Sequence, residues 1–349
     1  MITNKCLICC FSLFTFATCS LTTLTHDAIR YALNYLDSNG LVDFSQFDQN
    51  HDGYVDAIAF LHSGNGAEWG GYDGRGVYYT DRMWSHKWAL WTGTFVSKSG
   101  VKVYNYHISP AVWGRTGTTI GRIGVIAHET GHYLGLPDLY DTNGGGSGIG
   151  SYGLMANSWG FNGGQYNPPH MSAWSKLQLG WATATAPAEG INMISAAELQ
   201  DPTHPQFYKI DQGFPSGEYL LIENRQPIGF DADMPHGGLA IYHIDENAPW
   251  NNQGYPGQLL WPTNGDHYRV ALLQADGRYD LEKGHGRGDG GDVYRGGGGV
   301  GELMPSVNVT SGPYPNTDGY QSGLIVMTNI RITNISASGN DMSFTYHLG

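Results

Sequence analysis

The first feature along the chain is a short apolar run at residues 6–17, preceded by Lys5. Twelve residues fall short of the ~20 that a membrane-spanning helix needs, but they suit the apolar core of a secretory leader. Residues 1–19 are therefore expected to be a signal peptide, cleaved near Cys19 or Ser20. Residues 26–37 place Ile29, Leu33 and Leu36 at helical spacing, and residues 54–62 alternate as a strand does. Strand-like pieces follow at 77–80 and 101–108. A helix is expected over about 119–134, with Ile123, Ala127 and Leu134 as its apolar positions, stopped by Gly135 and Pro137. Residues 168–179 read as another helix, opened by Pro168. From Thr183 the texture changes to short alternating strands at 206–210, 218–223, 238–244, 268–273, 324–332 and 342–346. That second half is expected to be a β-rich module.

Composition narrows the chemistry. The 349 residues carry 18 Lys+Arg against 31 Asp+Glu, a formal net charge of -13, so no basic face is available for a phosphate backbone. Nucleic acid is excluded as a partner. The 51 glycines show no three-residue period, which excludes collagen and points to many loops. No stretch beyond the leader could cross a membrane, so no stable membrane insertion is expected once the leader is gone. All four cysteines, Cys6, Cys9, Cys10 and Cys19, lie in the leader. Any metal held downstream must then use His, carboxylate or carbonyl ligands.

Such ligands are offered by His128-Glu129-Thr130-Gly131-His132-Tyr133-Leu134-Gly135-Leu136-Pro137-Asp138. His128 and His132 stand four apart on the expected helix, so both imidazoles project toward one ion. Glu129 is rotated about 100° from His128, placing it to reach a water without ligating the metal. Gly135 can take positive φ and turn the chain back, bringing Asp138 round as a third ligand. Two imidazoles, one carboxylate and one position left for water match a catalytic zinc site and not a closed structural one. Downstream, Met155 in residues 148–156 matches the Met-turn of the metzincin class, an apolar floor beneath the metal.

HETGHYLGLPDLYD followed by GIGSYGLMANSWG resembles the immune inhibitor A (thuringilysin-type) secreted metallopeptidases, a metzincin group with Asp as third zinc ligand. The similarity continues through FDQNHDGYVDAIAFLHSGNG, MWSHKW, HMSAWSKLQLGW, EYLLIENRQ, GLAIYHID and RGDGGDVY, from about Asp43 to the C-terminus. The resemblance implies an α+β fold: a metzincin-like catalytic domain over 20–182, with a twisted sheet, an active-site helix and a lower subdomain bearing the Met-turn. A β-rich C-terminal domain over 183–349 follows. It also implies endopeptidase activity, with His128, His132 and Asp138 holding zinc and Glu129 as base. Family members usually carry a pro-segment and further strands before the stretch matching Asp43. Here one helix separates the leader from it, so the latency segment and one strand of the upper sheet are expected to be missing.

Asp48, Asn50, Asp52, Tyr54 and Asp56 follow calcium-loop spacing with Gly53 at the sixth position, but Ala59 stands where the bidentate carboxylate belongs. Calcium is the second cofactor expected, against an Asp/Asn-rich turn that merely opens a strand. The leading expectation is thus a secreted, monomeric zinc endopeptidase acting on protein and peptide substrates. The competing one is a catalytically impaired homologue that serves as a calcium-dependent extracellular binding or adhesion protein.

Overall fold

The computed structural model describes residues 7–11, 21–91, 93–249, 253–308, 312 and 314–349, with residues 7–11 and 21–24 in backbone only. The chain is mixed α+β, mostly strands with few helices, and it divides into two compact units, 1–135 and 136–349.

The first unit is built on a four-stranded sheet in the order β1-β2-β6-β3, from β1 (Leu7–Phe11), β2 (Ile58–His62), β3 (His86–Ala89) and β6 (Asn105–Pro110). β1, β2 and β6 run parallel, and β3 pairs antiparallel with β6 as an edge. Residues 7–11, part of the run that the sequence assigns to a leader, thus form an edge strand of this sheet, Leu7 opposite Ile58. The rest of the leader lies outside the described residues. A two-stranded ribbon, β4 (Phe95–Val96) and β5 (Lys102–Val103), completes the strands.

Period-two alternation assigns the two faces of this sheet. Ile58 and Phe60 of β2 and Tyr106 and Ile108 of β6 are buried in one core with Ile29 and Leu33 of α1 (Leu21–Ser38). His107, between Tyr106 and Ile108, turns to the other face. There its ring meets that of Tyr133 from α2 (Ile123–Tyr133) edge-on at 5.9 Å. The expected strand at 77–80 is instead a 3-10 turn, Tyr79–Asp81.

The second unit carries two sheets. One is antiparallel in the order β11-β10-β9-β8, from β8 (Phe207–Ile210), β9 (Glu218–Arg225), β10 (Gly238–Asp245) and β11 (Val270–Leu272). The other has the order β12-β13-β7, from β7 (Gly190–Ser195), β12 (Ile330–Thr333) and β13 (Asp341–Leu348). Leu220 and Ile222 of β9 and Leu239 and Ile241 of β10 pack into a core with Ile194, Ile332, Met342 and Phe344 of the second sheet. Tyr219, Leu221, Ala240, Tyr242 and Ile244 face the opposite way, into a core with Leu136, Leu139, Ile149, Tyr152, Met155 and Trp174. Both faces are covered, so every residue of β9 and β10 is buried.

This layering explains why the compact unit begins at Leu136 and not at Thr183, where the strand texture begins. The apolar residues of 136–182, including Trp174 of α3 (Ala173–Gln178), find their partners on strands 207–272.

Candidate metal centre

α2 opens after Arg122 without a side-chain cap and closes at Leu134, followed by Gly135 at φ 94°. The apolar positions that announce this helix are not its buried face: Ile123 is 50% exposed and Leu134 42%. Gly124, His128, Glu129 and Gly131 are buried instead. The helix therefore turns its ionisable side chains inward, which a helix stabilised by apolar burial alone would not do. The Tyr133 hydroxyl accepts the Ile58 N–H at 3.4 Å, tying the helix to β2.

His128 and His132 lie with ring centroids 4.8 Å apart and planes at 87°. One ligand atom each from His128, His132 and Asp138 fall within 4.8 Å of one another. Two imidazole nitrogens and a carboxylate oxygen are the donors a borderline divalent cation takes, and three protein ligands leave one of four tetrahedral positions over. The residues present fit a metal ion.

The segment carrying Asp138 is gripped by the turn around Met155. The Leu139 N–H donates to the Met155 carbonyl at 2.9 Å, and the Leu139 carbonyl accepts the Ile149 N–H at 3.1 Å. Gly148, at φ 57°, passes so near that a Cβ there would strike the Leu139 carbonyl. Met155 itself is fully buried in the surrounding core. Tyr152, in the same turn, donates its hydroxyl to the Asp289 carbonyl at 2.7 Å, and burial with nearby Asp292 and Asp289 pushes that hydroxyl well above its ordinary range. The hydroxyl serves as a bridge between loops.

The loop at 48–56 closes on its own amides. Asp48 accepts the N–H groups of Asp52 and Gly53, each at 3.0 Å, and Asp52 accepts that of Tyr54 at 2.9 Å. Asn50 donates to Asp52 at 3.1 Å, and Asp56 accepts the Gln49 N–H at 2.9 Å. Asp48, Asp52 and Asp56 do not form a group of three ligand atoms within 4.8 Å among the described residues. Asp276, Asp289 and Asp292, which follow no ligand spacing in the sequence, do. Burial, with Asp289 and Asp276 beside it, pushes the Asp292 carboxyl up to about 7.

Helix, paired imidazoles and returning aspartate together form a candidate metal centre. Residues 22–182 match the family described as immune inhibitor A peptidase M6, catalytic domain. Immune inhibitor A of Bacillus thuringiensis subsp. alesti is 34% identical over 138 residues, covering 34% of this chain and 18% of that protein. Pre-pro-metalloprotease PrtV of Vibrio cholerae serotype O1 is 32% identical over 181 residues, covering 44% of this chain and 18% of that protein. The chain thus spans less than a fifth of the length of these relatives.

Proposed function

We propose that this protein is a secreted zinc endopeptidase. The observation that carries the reading is the convergence of His128, His132 and Asp138, with Glu129 buried next to the first ligand on the same helix. Zn²⁺ held by these three side chains supplies Lewis acidity toward a peptide carbonyl. Glu129, one residue from His128, accepts a proton from the attacking water and delivers it to the leaving amine. Its burial keeps that proton from bulk solvent. Met155 and Gly135 serve the site by shaping the return of the chain to Asp138.

Export is supported by the apolar run at 6–17 and by the absence of cysteine beyond Cys19. Among the described residues no helix is long and apolar enough to cross a membrane. The binding-protein alternative is not favoured, since all four residues of the motif are present. Glu129→Ala should bind one zinc per chain and fail to digest casein. A variant with undiminished proteolysis would remove Glu129 from the role of base.

A further inference from the structure

We propose that Arg225 is a positioning residue for the third metal ligand: from β9 it holds the turn that in turn holds Asp138. The proposal rests on the reading of His128, His132 and Asp138 as the metal site.

Arg225 is fully buried. Counting by two along β9 from Tyr219 and Leu221, which lie in the core shared with Met155, brings Glu223 and Arg225 to that same face. The guanidinium donates through Nη1 to the Tyr152 carbonyl at 3.3 Å. Tyr242, on the neighbouring strand β10, donates its hydroxyl to the same carbonyl at 3.4 Å and to Glu223 at 2.7 Å. Three carboxyl groups then fix the guanidinium: Asp231 at 2.6 Å, Glu223 at 3.3 Å and Glu198 at 3.4 Å. All of these side chains are essentially without solvent exposure. Burial pushes the Glu198 carboxyl up to about 8.

The chain of contacts runs from Arg225 to the Tyr152 carbonyl, along three residues of tight turn to the Met155 carbonyl, and across to the Leu139 N–H beside Asp138. Asp231 extends the same grip, since it also accepts the His170 N–H at 3.1 Å, and the His170 carbonyl accepts the Leu154 N–H at 3.2 Å. A planar guanidinium can serve the carbonyl and the carboxyl groups at once, whereas an ammonium on a flexible stem cannot hold all of these directions. Burying such a cation among carboxylates is poor value for stability alone, because apolar side chains of similar volume do as well or better. Its place directly under the turn accounts for it.

The experiment compares wild type with Arg225→Lys, Tyr242→Phe and Phe344→Leu. The last thins the other core of the same unit and controls for general loss of stability. In the metal-free protein, hydrogen exchange at Leu139 and Ile149 should quicken about tenfold in Arg225→Lys, with a smaller rise in Tyr242→Phe and none in Phe344→Leu at matched stability. Cobalt titration should show affinity lower by about 10- to 100-fold in Arg225→Lys, the range for an outer partner of a metal ligand, together with a changed ligand-field spectrum. Tyr242→Phe, which leaves no unpaired cation, keeps the question open to measurement if Arg225→Lys does not fold. Unchanged exchange at Leu139 in the folded variants overturns the proposal, as does an equal effect from Phe344→Leu. A wild type that binds no cobalt, with exchange still responding to Arg225, overturns the metal reading instead.

Discussion

Gly148→Ala tests whether the segment after Asp138 is held as closely as the geometry states. Two penalties combine at this position. The first is conformational, since φ is 57°, and an L side chain in the left-handed region costs about 1–2 kcal/mol. The second is steric: the new methyl group would strike the Leu139 carbonyl, a backbone atom that accepts the Ile149 N–H and cannot swing aside. Displacing it breaks that hydrogen bond and leaves a buried acceptor, which adds about 1–3 kcal/mol. Gly144→Ala separates the two, because Gly144 has φ 83° in the same loop with nothing within 4 Å of its would-be Cβ. At about 2–4 °C per kcal/mol for a unit of this size, Gly148→Ala should lower Tm by roughly 10 °C and Gly144→Ala by roughly 4 °C. Calorimetry on the two variants decides it. Equal melting temperatures would show that the close approach of Gly148 to Leu139 is absent and that the Met155 turn does not grip the ligand segment.

Asp138→Ala should weaken zinc binding by more than the ~10–100-fold seen for outer partners, read by chelator competition; an unchanged affinity excludes Asp138 as a ligand. Glu282 is enclosed, with Gln274 donating to it, and burial pushes its carboxyl from 4.5 up to about 8. A raised folded value means that its contribution is complete below about pH 4.5 and is lost as pH climbs toward 8. Glu282→Gln should therefore flatten the fall in Tm across that window, and an unaltered profile refutes the assignment. A chain cut after residue 182, where the family match ends, should fail to melt cooperatively, because Leu139, Met155 and Trp174 lose the strand residues they pack on. A sharp transition in that fragment would contradict the layering.

The elements most visible in the sequence were those whose period matches their surroundings. The helix expected at 119–134 contains α2, and strands expected at 206–210 and 238–244 overlie β8 and β10. The motif through Asp138 was legible because ligand chemistry fixes residue type and spacing together. What could not be read was which face of α2 is buried: Ile123 and Leu134 suggest an apolar stripe, while the interior takes His128 and Glu129. β3 was missed because His86–Ala89 is short and none of its four residues is fully buried at this sheet edge. The compact unit that starts at Leu136 could not be read from strand texture, which begins only at Thr183, because its earlier residues pack on strands far along the chain. Arg225 left only one trace, a cation at the end of a strand whose centre is the apolar run YLLI.

β9 and β10 have no wet side at all. Five of their sixteen residues that can carry charge, Glu218, Glu223, Arg225, His243 and Asp245, each have a counterpart at hand, such as His243 against Glu218 at 2.6 Å and His267 against Asp245 at 3.0 Å. Replacing one member leaves the other without its partner away from solvent, and for the Arg225 cluster breaking a buried ion pair costs about 3–5 kcal/mol. Descent along this pair of strands is therefore expected to proceed by coordinated double changes.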